Sequence, residues 1–129
     1  HAGIVNKPTA DLVRYRSEVN PNLYSIGIEH AGFGHTDIID AQYRATAELV
    51  YDICIRWKIP IDREHIIGHK EIRADKTCPG KIDVDKIVSL AQKYPERKAD
   101  ELRQLQEIQK QLTLIERWVA FIRQLFVKK

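Results

Sequence analysis

The sequence is poor in the residues that mark several large protein classes. It has no methionine and only two cysteines, Cys54 and Cys78, among its 129 residues. Two cysteines are too few for a disulfide framework, and no run of about 18 apolar residues predicts a transmembrane helix. No signal peptide is recognisable either. Because the chain lacks methionine and begins with His1, we expect that its N-terminus has been removed or that it is a fragment.

Charge of one sign is also scarce. The 21 Lys and Arg residues exceed the 18 Asp and Glu residues by only three. This surplus is too small to predict a nucleic-acid partner, although it is compatible with a polyanionic partner such as a cell wall. With 43% hydrophobic and 30% charged residues, the composition is that of a soluble globular protein. The length allows one small domain with a real core, plus an appendage.

The hydrophobic pattern predicts an α/β fold. Short apolar runs at 23–30 and 65–68 are typical of buried strands. Apolar residues at intervals of three and four between 36 and 57 predict an amphipathic helix, which Pro60 would stop. Cys54 falls on its apolar face, where we expect it to pack as a small hydrophobe. A second helix follows between 83 and 94, so strands and helices alternate.

The last segment, 95–129, has a different pattern. Apolar residues recur at alternating intervals of three and four, which predicts a long helix with a heptad seam. The seam consists of Leu105, Ile108, Leu112, Ile115, Val119, Ile122 and Phe126. A second apolar face near the end consists of Leu114, Trp118, Phe121 and Leu125. Dimerisation as a coiled coil and packing on the chain's own domain remain open, and a membrane contact through the aromatic residues is the less favoured alternative.

The stretch "IGHKEIRADKTCPG" at 67–80 carries the first chemical signal. His69 follows the second predicted strand and Cys78 lies nine residues later, and an imidazole with a thiolate suits zinc. Beside a metal, Lys76 could stabilise an oxyanion. If the two predicted strands are neighbours, Glu29 at the end of the first points at the same mouth of the sheet as His69 and could take a proton from a zinc-bound water. Two ligands alone do not make a catalytic zinc site, which needs about three. The loop by itself therefore leaves open whether these are ordinary surface residues.

Four stretches together resemble a known family. They are "HAG" at 1–3, "YSIGIEH" at 24–30, "DAQYRATAELV" at 40–50 and "HIIGHKEIRADKTCPG" at 65–80. They resemble the zinc-dependent N-acetylmuramoyl-L-alanine amidases of the type 2 class, which includes phage amidase lysozymes and is related to peptidoglycan recognition proteins. The resemblance covers about residues 1–92.

This resemblance implies a fold and a set of site residues. The family has a mixed β-sheet flanked by helices, with zinc at the C-terminal mouth of the strands. By position in the matching motifs, His69 and Cys78 would be zinc ligands and Lys76 the catalytic lysine. Glu29 would be the acidic residue that works with the zinc water, and His1 would lie near the substrate groove.

The sequence also departs from the family pattern. The family's first zinc ligand is a histidine on an early strand, upstream of the "WHAG" element that "HAG" resembles. We therefore expect an amidase-like domain at 1–94 that lacks the first strands and this ligand, followed by a helical segment at 95–129. His30, His35 or His65 could replace the ligand, but their spacing favours none of them.

The predicted function is hydrolysis of the amide bond between N-acetylmuramic acid and L-alanine in peptidoglycan by a zinc-activated water. The cofactor would be Zn²⁺, and the protein would act on the bacterial cell wall, either secreted or as a phage endolysin released at lysis. One alternative is a non-catalytic peptidoglycan-binding module, because the first ligand is absent. Another is a copper site at an N-terminal His1, as in polysaccharide monooxygenases, which explains "HAG" less well.

Overall fold

The computed structural model describes residues 5–32 and 34–127. Contacts divide the chain into two compact units, His1–Tyr94 and Pro95–Lys129, and each is described by itself. The helices are α1 (Asp11–Arg14), a 3₁₀ turn (Pro21–Leu23), α2 (Asp40–Trp57), α3 (His69–Ile72), α4 (Val84–Gln92) and α5 (Tyr94–Val127).

The core of the first unit lies between α2 and α4. Apolar residues recur at intervals of three and four in both helices, so each helix has an apolar face, and these two faces pack against each other. The buried cluster consists of Tyr43, Ala47, Val50, Cys54, Ile87 and Ala91. Cys54 is only 4% exposed, which confirms that it packs as a small hydrophobe. Its burial raises the pKa of the thiol, which favours the protonated form.

Tyr43 ties the two core helices together at their N-terminal ends. Its hydroxyl donates to Asp37 Oδ1 at 2.7 Å and accepts a bond from the backbone N–H of Asp83 at 2.9 Å. Asp83 in turn caps α4, because its carboxylate accepts from the backbone N–H of Lys86 at 2.9 Å. This fully buried ring therefore fixes where α4 begins relative to α2, and with it the end of the loop that precedes α4.

The predicted mixed β-sheet is wrong for the part of the chain that the structure describes. Within 5–32 and 34–127 the only β pairing is an isolated parallel bridge between Asn6 and Arg73. A strand requires a neighbouring strand to satisfy its backbone groups, and the two predicted strands do not pair with each other. The segment 23–30 begins in the 3₁₀ turn instead, and Ile26 is half exposed.

The second predicted strand, 65–68, is bent by a side chain that precedes it. Asp62 Oδ1 accepts bonds from the backbone N–H groups of Glu64 and His65 at 3.0 and 2.9 Å, and the carbonyl of Asp62 accepts from Ile66 at 3.0 Å. An aspartate that bonds the backbone two and three residues on favours a turn over an extended strand. The segment leads into α3, so His69 opens a one-turn helix rather than following a strand.

The second unit is the single helix α5. Pro95 is tolerated in its first turn, where the missing N–H has no intrahelical partner to lose. Ion pairs along the helix, such as Arg103 with Asp100 and Lys110 with Glu107, join residues three apart. Among the described residues, no helix combines the length and the apolar character needed to cross a membrane.

Candidate functional site

The structure brings His69 and Cys78 together. The Nδ1 atom of His69 lies 3.1 Å from the Sγ atom of Cys78. The loop between them closes on itself, because the backbone N–H of Lys70 donates to the carbonyl of Cys78 at 2.8 Å. His69, in the first turn of α3, and Cys78 are thus held side by side. The Cys78 thiol is exposed to solvent.

The surroundings of His69 favour its neutral form. Burial of the ring is the largest cause that lowers the pKa of His69, and the nearby cations Lys76 and Arg73 lower it further. A neutral imidazole keeps a lone pair on one ring nitrogen, which is the form that binds a metal ion. The Nε2 atom is buried and has no hydrogen-bond partner among the described residues. Because Nδ1 is the ring nitrogen that faces the Cys78 sulfur, it is the one that could share a metal ion with the thiol.

A network around Glu71 fixes the start of α3. One carboxylate oxygen of Glu71 accepts from the backbone N–H of Gly68 at 2.6 Å, and both oxygens lie 3.1 Å from Nη2 of Arg63. Arg63 also donates to the carbonyl of Ile66 and, at 3.0 Å, to Asp85. The network joins the turn before His69 to the first turn of α4. It therefore orients the residue that opens α3 without touching the His69 ring.

The segment near the N-terminus runs beside the same loop. The backbone N–H of Thr9 donates to the carbonyl of Glu71 at 2.9 Å. Asn6 donates to Ile72 at 3.3 Å, and Ala74 donates to Asn6 at 2.9 Å. These bonds and the Asn6–Arg73 bridge hold the chain from His69 to Ala74 from its other side.

Gly80 closes the loop after Cys78 and should tolerate no side chain. Its φ is +65°, and a Cβ atom there would meet the carbonyl oxygen of Gly34 at 2.1 Å. We expect Gly80→Ala to lower the free energy of unfolding by roughly 2–4 kcal/mol, from left-handed strain and overpacking. Urea denaturation of the full chain measures this.

Gly34→Ala is the matched control, because a Cβ atom at Gly34 meets nothing within 4 Å. We expect this control to change the free energy of unfolding by less than about 0.5 kcal/mol. Equal effects of the two substitutions would show that the close approach of Gly80 to Gly34 does not constrain the loop.

The other predicted site residues differ in how they relate to the His69–Cys78 pair. Lys76 is exposed on the same loop, and its charge acts on His69. Glu29 is exposed, and no hydrogen bond or ion pair joins it to His69 or Cys78 in the described structure. His1 lies outside the described residues. Because the described residues form no sheet, the expectation that Glu29 and His69 share the mouth of neighbouring strands is wrong.

The three histidines considered as replacement ligands do not complete the pair. His30 Nε2 donates to the hydroxyl of Thr46 at 2.7 Å, and that hydroxyl donates to the carbonyl of Gln42 at 2.8 Å. His65 Nδ1 lies 2.8 Å from Asp62 Oδ1. Over residues 5–32 and 34–127, no group of three or more His, Cys, Asp or Glu side chains is arranged to hold a metal ion. His35 therefore does not supply a third ligand to the pair.

The pair nevertheless fits part of a zinc site. With Zn–N near 2.0–2.1 Å and Zn–S near 2.3 Å, two tetrahedral ligands have donor atoms roughly 3.5 Å apart. The observed 3.1 Å between Nδ1 and Sγ needs only a small opening to reach that separation. The donor types and the neutral ring agree with zinc as well. The described residues thus supply two suitable ligands out of the three that a catalytic zinc needs.

Comparison with protein-family models identifies the chain. The model for N-acetylmuramoyl-L-alanine amidases of type 2 matches residues 1–81, which is more than half of the 129 residues. The chain belongs to the type 2 amidase family. The family is generally zinc-dependent. Comparisons with curated proteins and with solved structures gave no match.

Within this type 2 amidase, the match extends to the end of the His69–Cys78 loop. The network that supports the loop was not predicted from the sequence. Glu71 could have been found, because a glutamate at the third position of a helix commonly accepts a bond from the backbone N–H of the residue that precedes the helix, here Gly68. Arg63 carried no such signal, since its bonds to Glu71 and Asp85 depend on how α3 and α4 pack.

Proposed function

We propose that this type 2 amidase hydrolyses the amide bond between N-acetylmuramic acid and L-alanine in peptidoglycan, in a zinc-dependent reaction. The observation that carries the proposal is the 3.1 Å approach of His69 Nδ1 to Cys78 Sγ within the region that matches the family. An imidazole nitrogen and a thiol held this close have the donor types and nearly the separation that zinc requires.

In this proposal His69 and Cys78 hold the zinc ion together with a ligand from outside the described residues. When bound, zinc polarises the amide carbonyl and lowers the pKa of its water. The Glu71–Arg63 network keeps the His69 backbone in place, as the outer partners of metal ligands do. The protein would act on the bacterial cell wall, either after secretion or as a phage enzyme released at lysis.

The remaining roles fall to Glu29 and Lys76. The Glu29 carboxylate, proposed on its place in the stretch that matches the family, takes a proton from the attacking water and passes it to the leaving amine of L-alanine, as a general base and then a general acid. The Lys76 ammonium stabilises the negative charge that develops on the carbonyl oxygen. Its charge already acts on the His69 ring in the structure, which supports its place in the site.

Glu29→Gln tests the proton transfer. We expect it to lower kcat by about 100-fold or more, since general acid–base catalysis contributes roughly 10²–10⁴-fold, while the zinc content stays unchanged. The measurement is the rate of muropeptide release with the metal content of the same sample. Glu18→Gln, at another exposed glutamate, is the control and should keep full activity. Full activity of Glu29→Gln would remove Glu29 from the mechanism.

A second candidate function is a non-catalytic peptidoglycan-binding module. The observation that favours it is that the described residues bring only two zinc ligands together. Such a module would bind the polymer and release nothing.

Product analysis of digested peptidoglycan separates the two functions. The amidase proposal predicts peptides with a new N-terminal L-alanine amine and no new reducing sugar ends. A chelator should stop the release, and added Zn²⁺ should restore it. Binding without any released peptide would establish the module, and new reducing ends would contradict both candidates.

A further inference from the structure

We propose that copies of this chain assemble through α5 into a bundle of four helices. The apolar seam of α5 occupies the two inner positions of a heptad repeat, usually called a and d. Position a holds Leu105, Leu112, Val119 and Phe126, and position d holds Ile108, Ile115 and Ile122. The inference concerns the second unit alone and does not depend on the proposed enzymatic activity.

The period of the seam points to other helices as the partner. Intervals that alternate strictly between three and four average 3.5 residues, whereas a straight α-helix turns once in 3.6. A 3.5-residue repeat keeps the seam facing a helix that winds around it, and a flat surface such as a membrane does not require it. The repeat runs unbroken from Leu105 to Phe126, over about three heptads.

The residue types at the two inner positions favour four copies over two. β-Branched residues at a with leucine at d favour dimers, while leucine at a with isoleucine at d shifts parallel coiled coils toward three or four strands. All three d positions are isoleucine, and the first two a positions are Leu105 and Leu112. The side chains of the seam are between 42 and 78% exposed, so the helix by itself leaves this surface available to its copies.

The width of the apolar surface agrees with more than one neighbour. Beside the seam, Trp118 and Leu125 occupy the adjoining g position, and Trp118 packs edge-on against Phe121 with ring centroids 6.2 Å apart. A two-stranded coiled coil buries a narrow a/d seam, and a wider face suits a bundle. The cations Arg103, Lys110 and Arg117 all occupy the f position, which faces away from the seam. Four helices can thus meet without bringing these charges together.

Assembly would place four amidase units on one particle. A polymer with many repeated sites would then bind several units at once, which raises the overall affinity by raising the effective concentration. The bundle is thus suited to an insoluble, repetitive substrate such as peptidoglycan.

The first test is the molar mass of the full chain, measured by light scattering on a size-exclusion column. We expect four times the 15.0 kDa of one chain. A monomer or a dimer overturns the proposal. So does a monomer that associates only when vesicles of anionic phospholipid are added, since α5 would then bind membranes rather than copies of itself.

A matched pair of variants tests the seam. Ile108→Asn with Ile115→Asn places two polar residues at position d and should give a monomer. Gln106→Asn with Thr113→Asn places the same residues two positions earlier, on the outer face, and should keep the tetramer. Loss of the tetramer in both variants would show that asparagine lowers the helix stability wherever it is placed. Retention of the tetramer in both would show that the seam is not the interface. Either result contradicts the proposal.

An exchange of the inner residues tests the number of copies. A variant with all five inner residues exchanged keeps the seam apolar but has the pattern that favours dimers. Its substitutions are Leu105→Ile, Leu112→Ile, Ile108→Leu, Ile115→Leu and Ile122→Leu. We expect the mass to fall from four chains to two. A mass that stays at four would show that the identities at a and d do not set the assembly.

Discussion

Replacing Cys78 with serine is expected to abolish zinc binding and amidase activity together. Cys78 is one of the two proposed ligands, and its Sγ lies 3.1 Å from His69 Nδ1. A serine hydroxyl is a far weaker zinc ligand than a thiolate. Loss of an outer partner of a metal ligand already costs about 10–100-fold in affinity, so loss of the ligand should cost more than about 100-fold. Zinc titration and muropeptide release, measured on the same preparation, check both effects.

Cys54→Ala is the control for Cys78→Ser. Cys54 is buried in the α2–α4 core with a raised thiol pKa, so its loss should leave the zinc affinity unchanged. The variant with both His69→Ala and Cys78→Ser should be no less active than either single variant, because ligands of one metal act as a unit. Retention of zinc and activity by Cys78→Ser would show that the pair is only a hydrogen-bonded loop closure.

Lys76→Ala is expected to lower kcat by about 10²–10³-fold, the usual effect of removing one group that stabilises an oxyanion. The zinc content and the KM should stay nearly unchanged, because in the proposed mechanism the lysine acts only in the transition state and does not bind the metal. Steady-state kinetics on soluble muropeptides, with metal analysis of each sample, separates these quantities.

Two further variants make the lysine prediction specific. Lys76→Arg keeps the positive charge and should recover part of the lost kcat. Lys81→Ala removes an exposed cation a few residues further along the chain and should have little effect. If Lys76→Ala lost zinc while keeping its turnover per bound zinc, the lysine would have a role in holding the site and none in catalysis.

The local elements could largely be predicted from the sequence. The 3–4 spacing of apolar residues placed the helix that is observed at Asp40–Trp57, and the position of Cys54 on its apolar face predicted its burial. The absence of breakers after Pro95 and the heptad spacing predicted the long helix that is observed as α5. These features depend on residues close in sequence, so a local pattern contains enough information.

The sheet could not be predicted in this way. A short apolar run such as 23–30 indicates burial but does not say which segment would pair with it. In the described structure no segment does, and Asp62 turns the other predicted strand by bonding the backbone at Glu64 and His65. The error was to treat an apolar run as sufficient for a strand, when the decisive interaction is nonlocal.

In the candidate site, too, the local features could be predicted from the sequence and the nonlocal ones could not. The proximity of His69 and Cys78 follows from a loop that closes over nine residues, so the motif together with the family resemblance could single out the pair. A position for Glu29 beside His69 was inferred from a shared sheet edge, and that inference fell with the sheet. The Arg63–Glu71–Asp85 network depends on how α3 meets α4, which no local pattern specifies.

The most direct test of the account is X-ray absorption at the zinc edge on the purified full chain. We predict one zinc per chain with one sulfur at about 2.3 Å and nitrogen or oxygen neighbours at about 2.0–2.1 Å. The sulfur signal should vanish in Cys78→Ser and persist in Cys54→Ala. A zinc ion surrounded only by nitrogen and oxygen, or a chain that binds no zinc, would contradict the claim that His69 and Cys78 form the metal site of this amidase.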